Sequence, residues 1–392
     1  MSQIYLDNNA TTRVDPEVFD AMRPLFMDQF GNPSSKHEFG AAAGVAVQKA
    51  RQQLQALIGA AFEDEIAFTS GGTESDNAAI LAGLEAMPRR TEIVTSMVEH
   101  PAVLALCAHV ETTRDVKVHR IPVDRQGRLD VVAYKAALTP NVAVVSIMWA
   151  NNETGTIFPL VELAELAKEV GALFHTDAVQ AVGKLPMDLK STAIDMVSLS
   201  GHKLHGPKGI GALYIKRGVH FGSLIKGGHQ ERNRRAGTEN TPGIVGLGKA
   251  AELALKFIDE QSTRIKSLRD RLETGLLQSI PNAFVTGDLE QRLPNTSTIA
   301  FENIESDGML LLLNREGIAC SSGSACSCGS QELSHVLRAM NIPHTAAQGA
   351  IRFSLSRDND EKDVDRVLEV MPGLVEMLRA PSPIFNGYGD GI

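Results

Sequence analysis

Residues Phe158 to Asp177 read Phe-Pro-Leu-Val-Glu-Leu-Ala-Glu-Leu-Ala-Lys-Glu-Val-Gly-Ala-Leu-Phe-His-Thr-Asp. Pro159 stands at the first turn of a helix whose apolar residues Leu163, Leu166, Ala167 and Val170 recur at helical spacing, and Gly171 stops it. An apolar run, Ala172 to Thr176, follows at once as a strand. The same alternation extends outward on both sides, with strands expected at Ile66 to Thr69, Ile93 to Ser96, Val116 to Ile121, Val142 to Trp149, Met196 to Ser200 and Gly211 to Ile215. Short β-rich runs alternating with helical patterns are the mark of an α/β fold with a mostly parallel, here seven-stranded, sheet covered by helices.

After about Gly248 the pattern changes. A long charged helix from Glu252 to Leu277, strands at Thr296 to Phe301 and Ala350 to Leu355, and helices between and after them read as a smaller α+β domain. The expected division is an N-terminal segment 1–15 joining the small domain, a large domain 16–256 and a small domain 257–392. The tail from Pro381 to Ile392, with two prolines and three glycines, is expected to be loosely ordered.

The 392 residues are 43% apolar and 22% charged, the composition of an ordinary globular protein. A formal net charge of -9 argues against a nucleic-acid binder, which needs a basic stripe to displace counterions. The first residues lack a signal peptide's basic start, and no apolar run approaches membrane-spanning length, so no membrane partner and a cytoplasmic location are expected. The four cysteines are too few for a disulfide framework. The spacing of Cys320, Cys326 and Cys328 does not fit a structural zinc site, so no metal ligands are assigned.

Five segments at the carboxyl ends of the expected strands carry polar groups. Ser200-Gly201-His202-Lys203 puts a lysine where open α/β sheets bind ligands; to bond an aldehyde its amine must be neutral, which burial or cationic neighbours bring about. Phe68 to Asn77 is a strand, a glycine turn and a helix start, where Gly72, Thr73 and free amides suit an anion; a capping box from Thr73 to Asp76 is the alternative. Asp177 ends a strand, and a carboxylate there can keep a pyridine nitrogen protonated, with Gln180 three residues on. His100, before Pro101, can stack on a flat ring and exchange protons near neutral pH. Asn151 and Asn152 can orient a ligand or form a turn. All five fall at one edge of one sheet, where a pocket should form.

These segments, with Tyr5-Leu6-Asp7-Asn8-Asn9-Ala10-Thr11-Thr12, Arg235-Ala236-Gly237-Thr238-Glu239-Asn240 and Ser321-Ser322-Gly323-Ser324-Ala325-Cys326, resemble the cysteine desulfurases of the class V aminotransferase superfamily over essentially the whole chain. The wording is most similar to the nitrogen-fixation branch, NifS, with the housekeeping IscS branch close. The resemblance implies fold type I of the pyridoxal-phosphate enzymes and a homodimer. It also implies conversion of L-cysteine to L-alanine through a persulfide, with sulfur passed to an iron–sulfur scaffold protein and, in the NifS branch, to nitrogenase maturation.

Residue by residue, the resemblance makes Lys203 the lysine that bonds pyridoxal 5'-phosphate and Cys326 the sulfur-accepting nucleophile. Asp177 pairs with the pyridine nitrogen, Gln180 bonds the ring hydroxyl and His100 stacks on the ring. Gly72, Thr73, Ser200 and His202 hold the phosphate, with Thr238 reaching in from the partner subunit. Asn152 and Arg352 hold the substrate carboxylate, a task suited to a bidentate guanidinium.

A thiolate is needed at Cys326, with His100 one candidate base. Cys320 and Cys328 depart from the family pattern and are candidates to resolve a persulfide. Cys320 to Ser330 comprises five serines, two glycines, three cysteines and one alanine, so a mobile loop is expected over 320–330. A selenocysteine lyase or aminotransferase would share the lysine and aspartate, and a cluster-bearing scaffold is the reading from another class.

Overall fold

The computed structural model describes residues 3–322 and 333–380. The chain opens on a two-residue strand, β1 (Ile4–Tyr5). A seven-stranded sheet follows, built from β2 (Ile66–Thr69), β3 (Glu92–Ser96), β4 (Lys117–Ile121), β5 (Val142–Ser146), β6 (Leu173–Asp177), β7 (Met196–Ser200) and β8 (Gly211–Ile215), in the order β2-β8-β7-β6-β5-β3-β4. Neighbours from β7 to β4 are parallel, while β8 is antiparallel to both β7 and β2. Two reversals restore the direction, so β2 runs with the parallel set and six strands end at one edge. β5 is Val-Ala-Val-Val-Ser and buried throughout, as a strand covered on both faces must be.

The second sheet contains β9 (Ala283–Val285), β10 (Thr296–Phe301), β12 (Ser321–Ser322) and β13 (Ala350–Ser354) in the order β12-β13-β10-β9, while β11 (Ile318–Ala319) pairs in parallel with β1. Each sheet has its own apolar core. Ile4 and Leu6 pack with Leu268, Leu272, Phe301, Phe353 and Val367 of the second, so the first residues of the chain belong with the last.

The expected helix over 252–277 is not continuous. Thr241–Lys256 is one helix, Gln261–Ile265 forms a π turn, and Lys266–Ser279 is another helix. The first packs against the helix Glu38–Ile58 so closely that a Cβ at Gly248 would lie 2.5 Å from Ala50 Cα. The second instead turns Leu268, Leu272 and Leu276 into the other core. The wide turn between them shifts the phase of the apolar stripe. Smaller corrections concern Pro159, which is the N-cap of Leu160–Glu169 rather than a first-turn residue, and β5, which stops at Ser146 instead of Trp149.

The loop expected over 320–330 does not hold at its start: Ser321–Ser322 is a buried strand paired with β13 at Arg352 and Ile351. Its remainder, with Cys326 and Cys328, and the tail from Pro381 lie outside the described residues. Among the described residues no helix is long and apolar enough to cross a membrane.

One buried ion pair ties the outer strand of the large sheet to the chain beyond β8. Arg51 donates from Nη1 and Nη2 to Glu231 at 2.8 Å each and to the Ile66 carbonyl, while Glu231 also accepts from the Phe68 amide at 3.0 Å. Removing one partner strands a charge in the core. Arg51→Ala is therefore expected to lower stability by about 3–5 kcal/mol, read as a fall in the urea midpoint.

Candidate active site

A cavity of about 360 Å³ opens at the carboxyl edge of the large sheet. Gly72, Thr73, His100, Asn152, Asp177, Gln180, Ser200, His202, Lys203 and Arg352 all line it, so ten of the sequence-derived candidates converge. Thr238 does not line it and is exposed.

One end of the cavity is built to hold an anion. The helix Gly72–Ala86 starts from Gly71, not Thr73, so the capping-box alternative does not form. Glu74 takes the capping work by accepting the Ser70 amide at 2.8 Å, and it pairs with Arg235 at 3.0 Å. Thr73 is thereby left within the first turn, whose amides have no partner inside the helix. A Cβ at Gly72 would sit 2.8 Å from Val179 Cγ2, so only glycine lets the backbone come this close. Ser200 closes β7, and His202 follows in a 3-10 turn. Burial, then Lys203 and Lys208, push the His202 imidazole down to about 4. His202 Nδ1 shares a hydrogen bond with Thr11 Oγ1 at 3.2 Å.

The middle of the cavity combines buried acids with a neutral imidazole. Asp177 ends β6 and accepts the Val179 amide at 2.9 Å. Burial raises its pKa, against which His100 pulls down. Asp76, which the sequence reading used only as a cap, is buried beside it, 3.6 Å from His175 Nε2, and its Oδ1 has no hydrogen-bond partner among the described residues. Burial, then the Asp177 charge, hold Asp76 well above the carboxylate range.

Asp177, at the end of β6 and lining the cavity, is the member of the pair that a cationic ring nitrogen would stabilise as a carboxylate. His100 caps the helix Pro101–Thr113 by accepting the Ala102 amide at Nδ1, 3.1 Å away, and burial lowers its pKa. In the neutral ring the proton then sits on Nε2, so His100 is a donor there, and serving as a base would require giving up the cap.

Lys203 Nζ donates to the carbonyls of Asn9 and of Ala10, the latter at 2.7 Å. Arg352, on β13, donates to the Asn152 carbonyl and to Asp7 Oδ1, both at 2.9 Å, while its Nε has no partner among the described residues. Asn9 joins the two halves. It donates to Thr296 Oγ1 at 2.8 Å and to the Asn152 carbonyl at 3.2 Å, and its own carbonyl accepts from Gln180 at 3.0 Å. Sequence reasoning noted the run at Asn8-Asn9 but gave it no role, because nothing local shows that it lies between two sheets. Lys184 was also missed, although its place four residues after Gln180 is the spacing that brings helical or turn side chains together.

Two of the cysteines are inert. Burial pushes the Cys107 and Cys320 thiols up to about 12, and Cys320 packs against the core of the second sheet. Cys320 is therefore not available as a resolving thiolate near neutral pH.

The family described as Aminotransferase class-V matches residues 4–367. A protein from Sinorhizobium fredii named cysteine desulfurase is 70% identical, across 99% of this chain and 100% of its own length. Cysteine desulfurase NifS from Azotobacter vinelandii is 58% identical across 99% and 96%. Among solved structures, a NifS-like protein superposes with a TM-score of 0.89 at 38% identity, covering 96% of this chain and 100% of its own.

Proposed function

The chain belongs to the aminotransferase class-V family and is a pyridoxal-phosphate-dependent cysteine desulfurase, which converts L-cysteine to L-alanine and transfers the sulfur to an enzyme cysteine; from that premise we propose how its own residues divide the work. The observation that carries the reading is the convergence of Lys203, Asp177, His100, the Gly72–Thr73 helix start and Arg352 on one cavity. The residues present fit the cofactor: a helix start at Gly72 where a Cβ would run into Val179, and a buried carboxyl pair in which Asp76 Oδ1 has no partner among the described residues. When bound, pyridoxal phosphate supplies an electron-withdrawing ring conjugated to the substrate α-carbon, which makes the carbon–sulfur bond breakable.

Lys203, whose Nζ lies at the cavity against the Asn9 and Ala10 carbonyls, would hold the cofactor and, once released by the substrate amine, would be the amine placed to move the α-proton. The cradle formed by Gly72, Thr73, Ser200 and His202 fixes the phosphate end. Asp177 would keep the ring nitrogen protonated, Gln180 would donate to the ring hydroxyl, and His100 would cover the ring face with Nε2–H as donor. Arg352 turns its guanidinium to the substrate carboxylate beside Asn152, and is held ready for it by Asp7.

Cys326, as thiolate, attacks the substrate sulfur: the new S–S bond forms as the C–S bond breaks and its electron pair stays with carbon. Ser322 is anchored on β13 one register step from Arg352, and Cys326 is four residues further on.

Two features support a homodimer. Phe19, Phe26, Met27, Phe30 and Phe39 are all more than half exposed within one N-terminal stretch, and Thr238 is exposed and away from its own cavity. Exposed apolar side chains at that density mark a surface that is covered. The similarity to NifS supports an iron–sulfur scaffold as sulfur acceptor and a role in nitrogenase maturation.

The test is to incubate the cofactor-loaded protein with L-cysteine and a dithiol reductant. Alanine and sulfide should rise in equal amounts; amino-group transfer without sulfide would overturn the assignment. Arg352→Ala should raise KM for cysteine by about 100-fold, with kcat much less affected, because the carboxylate contact is made before and during the reaction.

A further inference from the structure

Lys184 is a lysine that the chemistry above does not use, and it is buried. It donates from Nζ to Gln180 Oε1 at 2.9 Å and to Asn9 Oδ1 at 3.3 Å. Both amide oxygens face Lys184, as an ammonium with three donors and no acceptor requires, and that requirement is complete only below about pH 7. That fixes the other end of each carboxamide. The Gln180 nitrogen gives one hydrogen to the Asn9 carbonyl at 3.0 Å, and its second is left for the cavity that Gln180 lines. The Asn9 nitrogen goes to Thr296 Oγ1 and the Asn152 carbonyl.

The Asn9 carbonyl favours the same orientation from the nitrogen side, and without Lys184 that one bond alone would oppose a flip that offers the oxygen instead. An oxygen facing an anionic ring oxygen would repel it. We propose that Lys184 is a positioning residue that locks the Gln180 carboxamide with its N–H, rather than its oxygen, toward the ring hydroxyl of the cofactor. This rests on the reading that Gln180 meets that hydroxyl. The charged groups facing Lys184 are the cations Lys203 and Arg352, and with burial as the larger cause they push its ammonium down to about 7.

The test reads the visible band of the cofactor-loaded enzyme as a function of pH. A donor to the ring oxygen stabilises its negative charge and weakens its hold on the neighbouring imine proton, so losing the donor raises the midpoint. Gln180→Ala should move the midpoint upward by about one pH unit. Lys184→Met should do the same. In the double variant the two shifts should not add, because Lys184 acts through Gln180.

An unmoved midpoint in Lys184→Met, beside a clear shift in Gln180→Ala, overturns the inference and spares the place of Gln180. Additive shifts overturn it too, since they would mean that Lys184 acts by its charge alone. No shift in Gln180→Ala removes the place of Gln180 and the inference with it. If Lys184→Met does not fold, Lys184→Gln takes its place: it keeps a donor but adds an acceptor, so the midpoint should move up by less than in Gln180→Ala. No movement in that variant counts against the inference.

Discussion

Replacing Lys203 by alanine should lower alanine and sulfide production by at least about 10⁴-fold, the scale of loss when a covalent catalytic group is removed. Two functions disappear together. The cofactor loses the amine that bonds it, and the substrate loses the base next to its α-carbon. The anion cradle does not depend on this side chain, since Gly72 and Thr73 start a separate helix and Ser200 closes β7. The variant should therefore still take up cofactor, but borohydride should no longer fix it to the chain. Undiminished turnover would place the covalent bond elsewhere and dissolve the division of labour argued above.

Replacing Cys326 by alanine should leave the cofactor chromophore intact and lower sulfide release by at least about 10³-fold. The comparison that gives this its force is with the other thiols. Cys107→Ala and Cys320→Ala should keep most of their activity, because burial holds both thiols at about 12 and out of thiolate form. Any loss there should follow stability instead, since both pack in apolar cores. Cys328→Ala separates a carrier from a neighbour: full persulfide formation on that variant leaves Cys326 sufficient. Retained desulfuration in the Cys326 variant would move the nucleophile.

The large sheet was legible because a parallel sheet writes its rules locally. β2, β7 and β8 fall on the expected residues, each bounded by glycine or a polar turn. Most of the cavity residues were legible for the same reason, since they sit where those strands end, whereas Arg352 comes from within β13 of the second sheet. What was hidden depends on partners far along the chain. The break after Lys256 reflects two different packing surfaces, the helix Glu38–Ile58 and the core of the second sheet. Cys320 lies in a serine-rich run that reads as a loop, yet the flanking pairs β1–β11 and β12–β13 draw it inside. Thr73 read as a cap because Thr-Glu-Ser-Asp fits the local pattern, while Asp76 was needed inward against His175.

The strand β1 and the turn through Asn9 take several of their backbone partners from across nearly the full length of the chain. The Leu6 amide donates to the Ala319 carbonyl, the Asn8 amide to the Ser354 carbonyl, and the Asn9 amide to Ser354 Oγ. A ribosome must therefore release almost the entire polypeptide before the first-made residues can dock, and until then Lys203 lacks the carbonyls that hold it. Nascent chains interrupted before Ser354 should consequently expose an unfinished pocket, and a bulky fusion close to Ile4 should interfere with maturation more than one placed after Arg379.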